Sequence, residues 1–215
     1  MKPGVGRHCG LERIERHRHA EGYLAVVLSG GYVEAGDGGR LRVSAGDVVA
    51  HEAWSAHRDE FGPSGASILN LPIPSFFGER AGRVDDVDAI ARLAETDCLA
   101  AADLARDRFR AADVRTGDWP DLLAAALAER PDLPLAAWAD RHGIAATSLS
   151  RGFAAAYGVS PKRFRLEQRT RRALRELPRW SGTLAALAAE AGFADQAHFT
   201  RAVRDLTGRT PCSLR

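Results

Sequence analysis

The sequence predicts an α+β chain of several domains: a small all-β unit, a helical connector and an all-α carboxy-terminal unit with two helix-turn-helix elements. Three observations predict it. Glycine is concentrated early, with 14 of the 21 glycines before residue 83. Alanine, leucine and arginine at helical spacing take over beyond that point, and the stretch from Leu133 to Leu214 contains an internal repeat. A chain of 215 residues suits one large domain or two small ones. The compositional zones divide it at 1–74, 75–130 and 131–215.

Composition narrows the classes. Hydrophobic residues at 45% and charged residues at 27% exclude a disordered or fibrous chain. No apolar run approaches the roughly 18 residues that cross a bilayer, and Met1 to Gly10 lacks the hydrophobic stretch of a secretory signal. The expectation is a cytoplasmic protein with no membrane partner. Cys9, Cys98 and Cys212 are odd in number and in no paired spacing, which predicts reduced thiols rather than a disulfide framework or zinc knuckle. The net charge of +2 conceals an asymmetry: from Pro131 onward there are 14 basic against 7 acidic side chains, and before it 16 against 21. Opposite signs predict domains with different partners, the basic one suited to a polyanion.

In the first zone, glycine clusters at Gly30-Gly31 and Gly36 to Gly39 punctuate valine- and leucine-rich runs in the manner of hairpins. Strands are expected at Tyr23 to Leu28, Tyr32 to Ala35, Leu41 to Val43, Val48 to His51 and Ala66 to Leu71, closed by Pro72 and Pro74. Short strands so closely spaced favour an antiparallel sandwich or barrel. In the connector, Val87, Ile90, Leu93 and Ala94, then Leu99, Ala102 and Ala105, predict a helix or broken helix over 85–112. It would either cover the sheet or form a dimer contact. A second helix should follow Asp118-Trp119-Pro120, with the aspartate as cap and the proline in the first turn, and run to about Arg130.

The repeat carries the most information. Leu135 to Gly143 (LAAWADRHG) matches Leu184 to Gly192 (LAALAAEAG), Leu149-Ser150-Arg151 matches Phe199-Thr200-Arg201, and Gly158 to Pro161 matches Gly208 to Pro211. Each copy reads as helix, glycine turn, helix and a Gly-x-Ser/Thr-Pro stop. That is the outline of a helix-turn-helix, whose second helix can enter the DNA major groove. Leu149, Gly152, Phe153 and Ala156 make one apolar stripe, and Phe199, Ala202, Val203 and Leu206 repeat it. The stripe turns Thr147, Ser148, Ser150, Arg151 and Ala154 outward in copy one, and Gln196, Ala197, His198, Thr200, Arg201 and Arg204 in copy two. Arginine can pair with guanine, glutamine with adenine, and hydroxyls with bases or phosphates. The intervening segment from Lys162 to Arg179 holds eight basic residues against Glu167 and Glu176. Between two such units it reads as a phosphate-contacting link that begins at Lys162 and Arg163.

At these residues a family resemblance is plain. Leu149-Ser150-Arg151-Gly152-Phe153, Gly158-Val159-Ser160-Pro161, the Ala188 to Phe193 run, Asp195 to Arg201 and Thr210-Pro211 resemble the DNA-binding domain of the AraC/XylS transcriptional regulators. The resemblance implies two helix-turn-helix units joined by a long helix, with recognition helices in successive major-groove segments. It places base contacts on Thr147, Ser150 and Arg151, and on Gln196, His198, Thr200 and Arg201. Ala145, where a capping side chain is common, weakens the first recognition helix, and Ala197 removes a polar group from the second. The chain also ends at Cys212-Ser213-Leu214-Arg215, where relatives usually continue.

In the first zone, His17-Arg18-His19 is followed by Glu21, and His57 arrives after Gly46-Asp47. On a strand, residues 17, 19 and 21 share a face, so two imidazoles and a carboxylate could meet His57 on one ion such as zinc or ferrous iron. Spacing and order resemble the two cupin motifs, and the resemblance implies a cupin-like β-barrel. It departs at the motif's glutamate, which would fall near Tyr23 or Leu24, and at the Pro-x-Gly, replaced by Glu52-Ala53-Trp54. Three readings stay open: a divalent metal on His17, His19, Glu21 and His57; an effector pocket lined by His17, His19, Tyr23, Trp54 and His57; or a closed barrel with no ligand. Trp54, Tyr23 and Phe61 would serve equally as core.

Together these expectations describe a non-enzymatic transcription regulator with no obligatory cofactor. Its partners would be double-stranded DNA, a small effector, RNA polymerase and a second copy of itself. The rival is a metal-dependent cupin enzyme with a helical appendage; a regulator without effector response is a third reading.

Overall fold

The structure, a computed structural model, describes residues 4–73, 80–112 and 117–215. The chain divides into two compact units, Met1–Asp121 and Leu122–Arg215. Pro74, expected to close the first zone, lies outside the described residues, and so does the expected boundary after it.

The first unit is an antiparallel sheet of β1 (Gly4–His8), β2 (Arg13–Arg18), β3 (Tyr23–Gly36), β4 (Gly39–Ser44), β5 (Asp47–His51), β6 (Ala56–Pro72), β7 (Ala81–Val84) and β8 (Phe109–Ala111). Strands β3 and β6 are its axis, paired from Tyr23 opposite Pro72 to Gly36 opposite His57. The two strands expected at Tyr23 to Leu28 and Tyr32 to Ala35 are therefore one. Gly30-Gly31 marks a register shift rather than a hairpin turn. Gly30 has φ 72°, and a Cβ there would meet the Gly65 carbonyl at 2.0 Å, so the two long strands can cross closely only at glycine.

Alternation along the strands sorts two cores. Leu24, Val26, Val48, Ala50, Leu69 and Leu71 face one way, against Ile90, Ala101, Ala102 and Ala105. Tyr23, Ala25, Val27 and Val49 face the other, toward Tyr32, Leu41, Val43 and Phe61. The first set is covered by α1 (Val87–Ala94) and α2 (Cys98–Asp107). The segment expected to be helical over 85–112 is thus broken. The Asp97 carboxylate accepts the Leu99 and Ala100 amides and starts a new helix, and residues 109–111 leave it to pair with β7. The next helix, α3 (Trp119–Glu129), begins as expected. The Asp118 carboxylate, expected to cap it, pairs with Arg40, which also holds Asp121 at 2.9 Å.

The second unit contains α4 (Leu135–Arg141), α5 (Ala146–Tyr157), α6 (Pro161–Glu176), α7 (Leu184–Glu190) and α8 (Gln196–Thr207), with short 3-10 turns at Leu177–Arg179 and Pro211–Leu214. Gly158 and Gly208 end α5 and α8 in the left-handed conformation, at φ 72° and 71°, as the repeat requires. Ser160 caps α6 with Pro161 in its first turn, and Thr210-Pro211 repeats the device. The long helix serves both copies. Phe164 stands edge-on to Phe153 and Tyr157 in the first. Ala173 packs with Leu177, Leu187, Phe193 and Phe199 in the second.

The copies differ at two caps: Thr183 accepts the Ala186 amide at the head of α7 where Pro134 heads α4 with no side-chain bond, and the second helices differ likewise. Asp195 accepts the His198 amide at 2.6 Å at the head of α8, whereas Ala145 heads α5 with an extended ψ of 138° and no side-chain bond. Ala145→Ser should add about 1 kcal/mol, and a higher urea midpoint with unchanged slope would show it. Among the described residues, no helix is long and apolar enough to cross a membrane.

Candidate nucleic-acid interface and histidine cluster

Most of the outward face of each repeat is exposed, with Ala154, His198 and Thr200 half-buried. In α5, Leu149 and Phe153 are buried and Gly152 and Ala156 half-buried, while Thr147, Ser148, Ser150 and Arg151 are exposed. Ala154, expected outside, is half-buried. In α8, Phe199, Ala202, Val203 and Leu206 are buried, Gln196, Ala197, Arg201 and Arg204 exposed, and His198 and Thr200 half-buried. The Arg151 guanidinium donates back to the Thr147 carbonyl at 3.3 Å, which lays it along the face of α5. Asp195 at the cap of α8 keeps its carboxylate on backbone amide, so the acid nearest the second face is already engaged.

The basic link on α6 is mostly spoken for. Arg163 pairs with the buried Glu167 at 2.9 Å and lies 3.6 Å from Asp205. Arg165 donates to the Leu133 carbonyl and Arg172 to that of Ala128, each at 2.6 Å. Arg171 is buried, and Arg169 lies over the Phe193 ring, 5.8 Å from its centre. Lys162, Arg172, Arg175 and Arg179 are exposed. The arginine run therefore ties the two copies to their long helix, a structural use that counting charges does not separate from phosphate contact. Lys162, Arg163 and His198 nevertheless meet in one groove of about 400 Å³, with Ser160, Arg165, Leu166 and Arg169. This groove adjoins the start of α8.

A helix-turn-helix family matches residues 138–215, which is the whole of the repeat from Trp138 onward. Residues 138–215 are an AraC-type helix-turn-helix domain. Likeness of the whole chain to solved structures is lower. ToxT of Vibrio cholerae, solved with an unsaturated fatty acid, has 9% identity, covering 99% of this chain and 96% of that one, at a TM-score of 0.44. The carboxy-terminal domain of AraT, a response regulator of Geobacillus stearothermophilus, has 20% identity over 45% of this chain and 82% of that one, at 0.40. A salicylate 1,2-dioxygenase of Pseudoaminobacter salicylatoxidans has 19% identity over 31% of this chain and 20% of that one, at 0.29. At these identities and TM-scores the likenesses assign neither ligand nor activity. No curated protein matches the chain significantly.

The first unit gathers five imidazole and phenol rings in its sheet. Pairing of β2 with β6 sets His17 opposite His57, and pairing of β3 with β5 sets Tyr23 opposite His51. His17 lies 4.3 Å from His57, His51 4.5 Å from His57, and Tyr23 stacks on His51 at 4.4 Å, centre to centre. His17, His19 and His57 form one group of metal-ligating atoms; Glu34, His51 and His57 form a second. Glu21 joins neither. Strand β2 ends at Arg18, so the alternation that would have carried residue 21 to the same face stops short, and Glu21 is exposed in the turn before β3.

Trp54 lies in the turn between β5 and β6, its amide donating to the His19 carbonyl at 2.8 Å. It adopts φ 62° at the place where the cupin pattern has glycine.

The electrostatics of the cluster follow from burial. Burial and the neighbouring imidazoles lower His17, and carry His19 down to about 4. Burial drives His51 far below the usual imidazole range. Burial also pulls on His57, but the Glu34 and Asp59 carboxylates outweigh it and raise this imidazole. Glu34 is itself pushed up by burial, against the pull of His57 and Arg80. Arg80 donates to Glu34 Oε1 at 3.2 Å. Sequence reasoning found His17, His19, Tyr23 and His57; it missed Glu34, His51, Asp59 and Arg80.

Proposed function

We propose that the chain is a one-component transcription regulator of the cytoplasm, not an enzyme. It would bind double-stranded DNA through α5 and α8 and receive its signal at a cupin-like amino-terminal unit. The observation that carries the reading is the duplicated outward face, with a hydroxyl and an arginine at matching positions, Ser150-Arg151 and Thr200-Arg201, of a matched helix-turn-helix domain. Thr147, Ser148, Ser150 and Arg151 would contact one groove segment; Gln196, His198, Thr200 and Arg201 would contact the next. Lys162 and Arg163 would meet phosphate at the groove beside α8. A second copy of the chain and RNA polymerase would complete the working assembly, with a signal shifting the balance of conformations that present the DNA-binding faces.

Gel shifts across a salt series test the reading. Neutralised phosphates release counterions, so log K should fall linearly with log salt at about 0.9 per contact. A flat response removes DNA as the partner. Arg201→Ala should cost about 1–3 kcal/mol and relax preference at one base position. Equal loss on every sequence would make Arg201 a phosphate contact instead.

The rival reading, a metal-dependent cupin enzyme, is favoured by the meeting of His17, His19 and His57. It requires an open coordination position and turnover. Purified metal-loaded chain that turns over an aromatic or enolic substrate would support it.

A further inference from the structure

We propose a second metal site, for one divalent ion of the zinc class, on Glu34, His51 and His57 rather than on the His17–His19 face. Glu34 Oε2 lies 3.4 Å from His51 Nε2 and 3.6 Å from His57 Nδ1. Donors about 3.3–3.6 Å apart are the edges of a tetrahedron around an ion with bonds of about 2.0–2.2 Å.

A second, independent observation points the same way. Glu34 Oε2 and His51 Nε2 are buried polar atoms with no hydrogen-bond partner, and the Glu34 side chain is 0% and that of His51 2% exposed. Such atoms cost about 1–3 kcal/mol each when left unsatisfied, and an ion between them would satisfy both at once. The carboxylate is already oriented for this: Arg80 takes Oε1 and leaves Oε2 turned to the imidazoles. An outer partner is in place, since Tyr23 Oη lies 3.2 Å from His57 Nε2, the ring nitrogen the ion does not use; Asp59 Oδ1, 3.2 Å from His57 Nδ1, gives up that contact to the ion.

Two nitrogens and a carboxylate oxygen select a borderline first-row ion over magnesium or calcium. Binding requires the ligating imidazole nitrogens to be unprotonated, so any proton on them leaves to solvent. As a signal for transcription the site rests on the regulator reading above; as a binding site it stands on the first unit alone, so its test uses no DNA.

The full chain, stripped with chelator, is titrated with zinc against a chromophoric competitor. One tight equivalent is expected. His51→Phe, which fills the same space without a donor, and Glu34→Gln should each weaken zinc by more than the about 10–100-fold that loss of an outer partner costs. The double variant His17→Ala/His19→Ala should stay within about threefold of the parent, well short of that outer-partner cost. Zinc should also raise the melting temperature of the parent and not of His51→Phe. No tight equivalent, or zinc lost from the His17/His19 variant and kept by His51→Phe, overturns the proposal. Should a variant fail to fold, cobalt(II) on the parent decides: intense four-coordinate visible bands are expected, and weak six-coordinate bands overturn it.

Discussion

Phe199→Ala should destabilise the carboxy-terminal unit by about 3–5 kcal/mol and abolish gel-shift binding at 37 °C. Phe199 is fully buried, packed with Ala173, Leu177, Leu187 and Val203, its ring 5.1 Å from that of Phe193. Truncation opens a cavity where α6, α7 and α8 meet, and the surrounding helices can close it only by moving. A domain stable by about 5–15 kcal/mol loses a large part of its margin, and α8 loses the contact that aims its exposed face. Phe199→Leu should cost much less, about 1.5 kcal/mol or under, and keep DNA binding. Urea unfolding followed by far-ultraviolet dichroism measures both. If Phe199→Ala unfolds at the parental midpoint, the apolar stripe does not anchor α8, and the assignment of its opposite face to DNA loses its geometric basis.

The helical half was legible because helix period acts over few residues. Leu149, Phe153, Phe199 and Val203 follow one another at intervals of three and four, so the buried and exposed faces follow without long-range information. What differed came from distant partners: residues 109–111 leave the helix to pair with β7, and Asp118 pairs with Arg40, 78 residues away. The β half was legible only where strands are apolar. Strand β2 (RIERHR) and the start of β6 (AHRDEF) line a polar interior, so their composition resembles loop. The histidine cluster was half-visible for the same reason. His17 and His19 stand together in sequence, but Glu34, His51 and Asp59 reach His57 only through the pairing of β3, β5 and β6. A signal for them did exist. Glu34 shares a strand face with Tyr32, and His51 with Val49, both of the interior core. A charge or imidazole at an inward position asks for a buried partner. Trp54 shows the converse: a glycine position of the motif filled by tryptophan keeps its left-handed backbone, because the Trp54 amide is held by His19.

Asp37→Ala should cost about 3–5 kcal/mol in the first unit, the penalty for leaving a buried charge without its partner. Asp37 follows β3, its side chain 1% exposed, and its Oδ1 accepts from Arg16 Nη2 at 2.8 Å, where the arginine side chain is 6% exposed. Its other oxygen accepts the Ala56 amide at 2.8 Å. One carboxylate therefore fastens the β3–β4 turn to β2 and to the first residue of β6, next to His57. Asp37→Asn keeps an acceptor for Ala56 but not the charge, and should fall between parent and alanine. Arg16→Met combined with Asp37→Leu removes both charges and should recover most of the loss, because desolvating the pair costs nearly what its attraction returns. Thermal unfolding of the four proteins separates the alternatives. A double variant no better than Asp37→Ala would mean that the amide contact at Ala56, not the ion pair, holds the strand that carries His57. In that case zinc affinity should fall with Asp37→Ala and remain low in the double variant.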